Sequence, residues 1–331
     1  MARNHTLDNA KFILIVAVIF GHSIEPYISN STTLRVVYLF IYSFHMPAFA
    51  IISGMLSKAV LNDTSIRKLT KSLFIPFLTF SLLYESLHLL RHGEFSKYLV
   101  SLEPYWILWF LLSLFIWRLL LPFTLKLKYP VVWLTIFAVL AGYVDSIDRF
   151  LGISRTIYFF PFFVFGYQMT SNRLSDVLYK KLSRAFAVFV LAINAALFSY
   201  SPEISTLWLY GASSYSEMGH PEWSAGLIRL IFLFFSLLSA IAVLLLVPRW
   251  KTIFSENGKR SFSVFLWHLL CIELLAAASI LDYIILLNQW VALLAFSALS
   301  LALAYLLSLI AVADYTQRYI LGPATRLFIR S

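Results

Sequence analysis

The sequence predicts an all-α fold, a polytopic membrane helix bundle of about ten transmembrane helices with both termini cytoplasmic. Of its 331 residues, 60% are hydrophobic and only 13% are charged, which is typical of an integral membrane protein. The apolar residues form long unbroken runs, as expected of helices that satisfy their own backbone hydrogen bonds in lipid. A transmembrane barrel would show short segments of alternating polarity instead.

Ten apolar stretches are long enough to be interpreted as spans. They cover residues 9–25, 34–56, 71–90, 105–123, 131–144, 153–169, 185–200, 225–247, 261–281 and 289–312. The longest connection, residues 201–224, is too short for a soluble domain. We therefore expect residues 1–331 to form a single transmembrane domain with no appended soluble domain. The one cysteine, Cys271, has no partner for an intrachain disulfide.

Positive charge is unevenly distributed over the predicted connections, and this predicts the orientation. With the N-terminus inside, 18 of the 26 Lys and Arg residues fall on cytoplasmic segments and six on outer segments or span ends. Such an excess marks the cytoplasmic side. The net charge of +10 is thus a topology signal and does not indicate nucleic acid as a partner. The inner loop with Lys58, Arg67, Lys68 and Lys71 would also attract an anionic cytoplasmic ligand.

The first span carries Lys11 and His22 within the apolar run of residues 10–23. Eleven helical steps place them on nearly one face, roughly 16 Å apart along the axis. Ionisable groups in a membrane normally face the protein interior or a wet cavity, so the pair predicts a functional site. Alternatively, Lys11 reaches the cytoplasmic interface and His22 the opposite headgroup layer.

Other polar residues fall at a similar predicted depth. Glu85 lies as far into span 3 as His22 does into span 1, and Arg155 is near the outer start of span 6. Glu25 is three residues after His22, so either carboxylate is a candidate to orient the imidazole. Glu85 is alternatively a hydrogen-bonding residue between helices.

Two further histidines occur within spans. His45 precedes Pro47, which interrupts the helical hydrogen-bond ladder, so His45 is expected either to bind a ligand or to cap a freed carbonyl. Ser53 follows on the same span. His268 lies in the inner half of span 9, where helix packing is the alternative to substrate binding.

These residues suggest acyl transfer. A buried His at neutral pH is a proton acceptor or a nucleophile, and a cationic layer reached from a basic cytoplasmic face suits a phosphate-bearing donor such as acyl-coenzyme A. The sequence shows no metal-ligand spacing, no Gly-rich phosphate loop and no Ser nucleophile elbow. We therefore expect no metal.

Several stretches, spread in order over nearly the whole chain, carry a family pattern. They are Leu7–Lys11 with Gly21–Ser23, Phe44–Pro47 with Ser53–Gly54, Leu108–Leu111, Arg155–Thr156 with Phe159–Phe163 and Gly166, and Gly258–Ser261 with His268. The ordered set resembles the acyltransferase 3 family, most of all its fucose 4-O-acetylase-like branch. That family has a basic residue, ten residues and then His in its first span. Here the basic residue is Lys11 where Arg is commoner, and Lys lacks the bidentate fork of Arg.

The resemblance implies a multi-pass enzyme of the bacterial inner membrane that moves an acetyl or other short acyl group from cytoplasmic acetyl-CoA (acyl-CoA) to a sugar hydroxyl. The acceptor would be an exopolysaccharide, O-antigen or other surface or lipid-linked glycan. His22 would be the catalytic base or acyl carrier, with Glu25 and Glu85 as the accompanying catalytic carboxylates. The substrate-binding candidates are Lys11, His45, Ser53, Arg155 and His268.

Two other classes of protein compete with this hypothesis. A transporter or flippase of a lipid-linked saccharide would also line a path with polar residues, but transporters usually show duplicated halves, and the sequence shows none. A purely structural membrane subunit would leave Lys11, Glu85 and the span histidines without a role.

Overall fold

The computed structural model describes residues 5–147, 150–171 and 184–328, and every regular element in these ranges is a helix. The protein is an all-α polytopic membrane protein, as predicted. Within the described residues, six helical stretches are long and apolar enough to cross a membrane, and four shorter apolar helices accompany them. Each predicted span overlaps one of these helices. The number that crosses the membrane and the side of each terminus stay predictions.

The α-helices are numbered here in chain order. They are α1 His5–Ile24, α2 Thr32–Tyr42, α3 His45–Met55, α4 Asp63–Leu69, α5 Ile75–His92, α6 Lys97–Val100, α7 Trp109–Thr124, α8 Pro130–Leu140, α9 Ile153–Ser171, α10 Arg184–Tyr200, α11 Leu207–Tyr210, α12 Ser224–Leu246, α13 Ser255–Lys259, α14 Ser261–Ala277, α15 Ile280–Ile285, α16 Gln289–Leu307, α17 Ile310–Tyr315 and α18 Gly322–Phe328. Short π-helical segments at Thr70–Phe74 and Thr316–Leu321 connect neighbouring helices.

Several helix boundaries differ from the predicted ones. Span 2 is interrupted at Ser43–Phe44, just ahead of Pro47, since proline has no N–H to donate to the Ser43 carbonyl. Span 3 belongs to a longer helical stretch, Asp63–His92, which begins where the Asn62 side chain accepts a hydrogen bond from the Ser65 N–H (2.8 Å).

The chain folds into two compact units, each assembled from segments that are distant in sequence. The first unit comprises Met1–Phe49, Tyr179–Ile204 and Ser236–Gln317. At its centre lies α1, which packs against α2, α13, α14 and α16. Residues on nearly every side of α1, among them Leu14, Ile15 and Ile19, are buried to 1% exposure or less. A helix that is apolar all round is a buried helix, so α1 organises this unit.

The second unit comprises Ala50–Leu178, Ser205–Phe235 and Arg318–Ser331, with α9 packed against α7 and α8. Here α3 and α9 approach each other closely through two glycines. A Cβ on Gly54 would overlap the Phe163 carbonyl, and a Cβ on Gly166 would overlap the Ile51 carbonyl. Only glycine permits this reciprocal backbone contact, and small residues play that part where membrane helices cross closely.

The connection ahead of α12 is anchored by Arg229, which the charge pattern predicted only as a cation on the outer side. Arg229 is buried, and its guanidinium donates to the Ser213 carbonyl (2.7 Å). It also lies over the Tyr215 ring, 4.4 Å from the centroid. The charge thus serves to fold the 201–224 connection back onto α12.

Six of the charged residues used to predict the orientation lie outside the described residues. They are Arg3, Arg149, Arg173, Lys180, Lys181 and Arg330.

Candidate active site

His22 lies in the last turn of α1, beside the carboxylate of Glu25. Its Nδ1 is 3.1 Å from Glu25 Oε2, and the two side chains are 11% and 25% exposed. Glu25 begins a single 3₁₀ turn, Glu25–Tyr27, so the chain brings this carboxylate back over the imidazole. With the Nδ1 proton donated to the carboxylate, Nε2 carries the lone pair of a base, and the carboxylate stabilises the imidazolium.

Tyr42, at the end of α2, packs against the same imidazole. Its hydroxyl is 3.5 Å from His22 Nδ1, and the two rings meet edge to face with centroids 6.4 Å apart. The ring can approach because position 21 is glycine: a Cβ there would lie 3.0 Å from Cε2 of Tyr42. Tyr42 was not among the predicted site residues. Its spacing of three residues from His45, which places both on one side of a helix, could have indicated it.

His45 is the first residue of α3, and its side chain reaches back across the interruption of span 2 to α2. Its Nδ1 donates to the Ile41 carbonyl (2.9 Å), and a ligand-binding role for His45 stays a prediction. Its ring also meets the ring of Tyr42, with centroids 4.5 Å apart. Ser43 and Asn194 hold the interruption from the other side, because the Asn194 amide donates to the Ser43 hydroxyl (2.7 Å).

His268, on α14, stacks on His22, with ring centroids 5.8 Å apart and an interplanar angle of 29°. We expected His268 nearer the cytoplasmic side than His22, and this expectation of depth is wrong. The reason lies below the two rings, where Gly258 of α13, just ahead of α14, packs directly against the Asp8 carbonyl of α1. His268 follows Gly258 by ten residues and His22 follows Asp8 by fourteen, and both segments run from this contact to the paired rings.

Lys11 lies eleven residues before His22 on the continuous helix α1. Its Nζ forms an ion pair with Asp8 Oδ1 at 3.1 Å, and the two side chains are 23% and 6% exposed. Asp8, three residues earlier on the same face, is a partner that sequence analysis did not assign. The ammonium group is therefore held at the Asp8 end of the helix, with part of its surface accessible.

Asn9 connects α1 to residues 248–255 through four hydrogen bonds. Its Nδ2 donates to the carbonyls of Pro248 and Trp250, both at 2.9 Å. Its Oδ1 accepts from the hydroxyls of Thr252 (2.8 Å) and Ser255 (2.6 Å). The amide is fully used and buried, so Asn9 fixes the segment that leads into α13 and α14.

Three predicted site residues belong to the second unit. The Glu85 carboxylate accepts two hydrogen bonds from Ser96, from its N–H at 2.8 Å and from its hydroxyl at 2.5 Å, and so anchors the start of α6. Arg155 lies over the Trp109 ring, 5.4 Å from the centroid. Ser53 accepts the Ser57 hydroxyl at its backbone carbonyl (2.7 Å). Catalytic or binding roles for these three residues stay predictions.

Within the described residues, no three His, Cys, Asp or Glu side chains come together in a way that could hold a metal ion. His45 and His268 both direct Nδ1 at backbone carbonyls of their own helices or the turn before them. What the first unit assembles is a base, His22, with a carboxylate at one of its nitrogens.

The fold and the site define a multi-pass α-helical membrane protein whose buried first helix holds an imidazole beside a carboxylate. The particular family is shown by comparison: the chain belongs to the acyltransferase 3 family, whose acyltransferase domain matches residues 4–309. It is a membrane acyltransferase, as the sequence predicted.

The chain is also similar to the nodulation protein NolL of Sinorhizobium fredii (strain NBRC 101917 / NGR234). The two are 27% identical over 283 residues, which cover 79% of this chain and 74% of NolL. No solved structure matches the chain.

Proposed function

We propose that the protein is an O-acyltransferase of the bacterial inner membrane. It moves an acetyl or other short acyl group from cytoplasmic acyl-CoA to a hydroxyl of an extracytoplasmic or lipid-linked glycan. The observation that carries the proposal is the pairing of His22 with Glu25 on a helix whose other end holds Lys11. Membership of the acyltransferase 3 family supports the same reaction.

In the proposed reaction, His22 Nε2 takes the proton of the sugar hydroxyl while that oxygen attacks the acyl carbon of the thioester. The carbon–sulfur bond then breaks, and the imidazolium returns the proton to the departing sulfur, which leaves an ester and free coenzyme A. Glu25 holds the imidazole in the required tautomer and stabilises its charge. Transfer is direct in this scheme, since an acyl-imidazole in a wet cavity would hydrolyse.

Positive charge supports a donor that arrives from the cytoplasm. Lys58, Arg67, Lys68 and Lys71 are all exposed, and they precede or begin the helical stretch that leads into α5. Exposed cations of this kind raise the local concentration of a polyanion such as coenzyme A. Lys11, partly exposed beside Asp8, is then the residue we assign to the donor within the first unit.

The test uses purified protein in lipid nanodiscs with radiolabelled acetyl-CoA and a surface glycan preparation. We expect glycan-dependent release of coenzyme A together with labelled glycan. His22→Gln should insert normally and lower kcat by about 10²–10⁴-fold, the usual contribution of a positioned base. His88→Gln, which removes an imidazole from α5, is the control.

Full transfer by a normally expressed His22→Gln would exclude the catalytic assignment. Movement of a lipid-linked sugar across the bilayer without release of coenzyme A would support a flippase in its place.

A further inference from the structure

We propose that His268 binds the acyl acceptor, its Nε2 receiving a hydrogen bond from the sugar hydroxyl adjacent to the one that His22 deprotonates. This assignment rests on the proposed acyl transfer and specifies which substrate group the site recognises. It would make His268 the residue that selects acceptors with two neighbouring hydroxyls.

The Nε2 atom of His268 is a hydrogen-bond acceptor that the fold does not use. His268 Nδ1 lies 3.0 Å from the Val264 carbonyl and 2.9 Å from the Phe265 carbonyl, so it must carry the proton and Nε2 the lone pair. His268 is completely buried, and among the described residues no donor lies within hydrogen-bond distance of Nε2. A buried acceptor without a partner destabilises the folded protein, so a packing role alone does not explain an imidazole here.

His268 also lies directly beside the predicted catalytic residue. The His268 ring stacks on the ring of His22, 5.8 Å between centroids, so a molecule that reacts at His22 also comes close to His268. Two hydroxyls on adjacent carbons of one sugar ring can each meet one of two imidazoles stacked at this distance. One hydroxyl then loses its proton to His22, and the other only donates a hydrogen bond.

The acyl acceptor and the acyl donor differ in the hydrogen-bond donors that they carry near the reacting atoms. Around its reactive carbon, an acyl thioester carries only the carbonyl oxygen and the sulfur, neither of which can donate to Nε2. Its first amide N–H lies two methylene groups beyond the sulfur. A sugar carries a donating hydroxyl on the carbon next to the reacting one, so the acceptor is the better partner for a lone pair beside His22.

His268→Phe keeps a ring of similar size and removes the unused acceptor. If Nε2 serves the substrate, this variant should fold at least as well as the parent, with an unchanged or higher thermal midpoint, because a buried unpaired group is lost. Its KM for the acceptor should rise about 10- to 100-fold.

The control is Ser263→Ala on the same helix. The Ser263 hydroxyl is also buried without a partner among the described residues, and it points about 140° around the helix from His268. Its removal should raise the thermal midpoint in the same way and leave the acceptor KM unchanged.

The decisive measurement compares methyl hexosides with their monodeoxy analogues as acceptors, in nanodiscs with radiolabelled acetyl-CoA. The parent should reject the analogue that lacks the adjacent hydroxyl, and His268→Phe should accept the pair almost equally. Equal discrimination by both proteins, or an unchanged acceptor KM with a lowered thermal midpoint in His268→Phe, would overturn the proposal and leave a structural histidine. Failure of the proposed acyl transfer is distinguished from this outcome because the parent itself would then release no coenzyme A when an acceptor is added.

Discussion

At the scale of single residues, the tautomer of His22 depends on Glu25. The carboxylate is 3.1 Å from Nδ1, and Glu25→Gln would offer that nitrogen a neutral amide in place of an anion. The imidazolium would lose its counter-charge, and Nε2 would no longer be held as the lone-pair nitrogen. We expect kcat to fall by about 10- to 100-fold, less than for loss of the base itself.

Tyr42→Phe, which keeps the ring and removes a hydroxyl 3.5 Å from the same nitrogen, is the matched comparison and should lower kcat much less. An unchanged kcat in Glu25→Gln would show that Glu25 does not act through His22.

Lys11 offers a second test at this scale, because its charge and its shape can be changed separately. Lys11→Arg keeps the charge and adds the planar fork common in the family, so we expect activity to be kept. Lys11→Ala removes the ammonium group and should raise the apparent KM for acyl-CoA, with a smaller effect on kcat. Equal donor KM values in Lys11→Ala and the parent would remove Lys11 from donor binding.

At the scale of elements, Asn9 couples α1 to the segment that leads into α13 and α14. Two of its four partners are carbonyls, which only accept hydrogen bonds, so the amide orientation is determined. Asn9→Asp would point a carboxylate oxygen at both carbonyls and should lower the free energy of unfolding by about 3 kcal/mol or more. Asn9→Ala should lower it by less. A drop in thermal midpoint, larger for Asp than for Ala, is the expected measurement.

This coupling also has a functional consequence. The segment ahead of α14 is held against Asp8 by Gly258 of α13 and against Asn9 through residues 248–255, and that register brings His268 to His22. In a partly active Asn9→Ala, we therefore expect discrimination between acceptors to weaken together with stability. Undiminished discrimination would show that the His22–His268 stack does not depend on this connection.

At the scale of the whole molecule, the orientation remains the main prediction from charge. Eighteen Lys and Arg on one set of segments against six on the other predict cytoplasmic termini. A reporter active only in the periplasm, fused after Ser331, should stay silent, and a cytoplasmic reporter at the same place should be active. The reverse pattern would contradict a cytoplasmic C-terminus and, with the N-terminus inside, would require an odd number of spans.

By itself, the sequence determined the membrane class, the approximate position of each apolar helix and the shared face of Lys11 and His22. These are local properties: hydropathy and the 3.6-residue period are written along the chain and need no partner. Pro47 also predicted an interruption in span 2, but the sequence did not predict that it falls at Ser43–Phe44.

Only the tertiary structure decided which groups surround His22. Glu25 was one of two carboxylates that spacing allowed, Tyr42 was not identified, and His268 was expected at another depth. The physical reason is that helix neighbours and their register come from close approaches between distant residues, such as Gly258 on Asp8. A single sequence carries no measure of those approaches, so the site can be assembled only once the helices are packed.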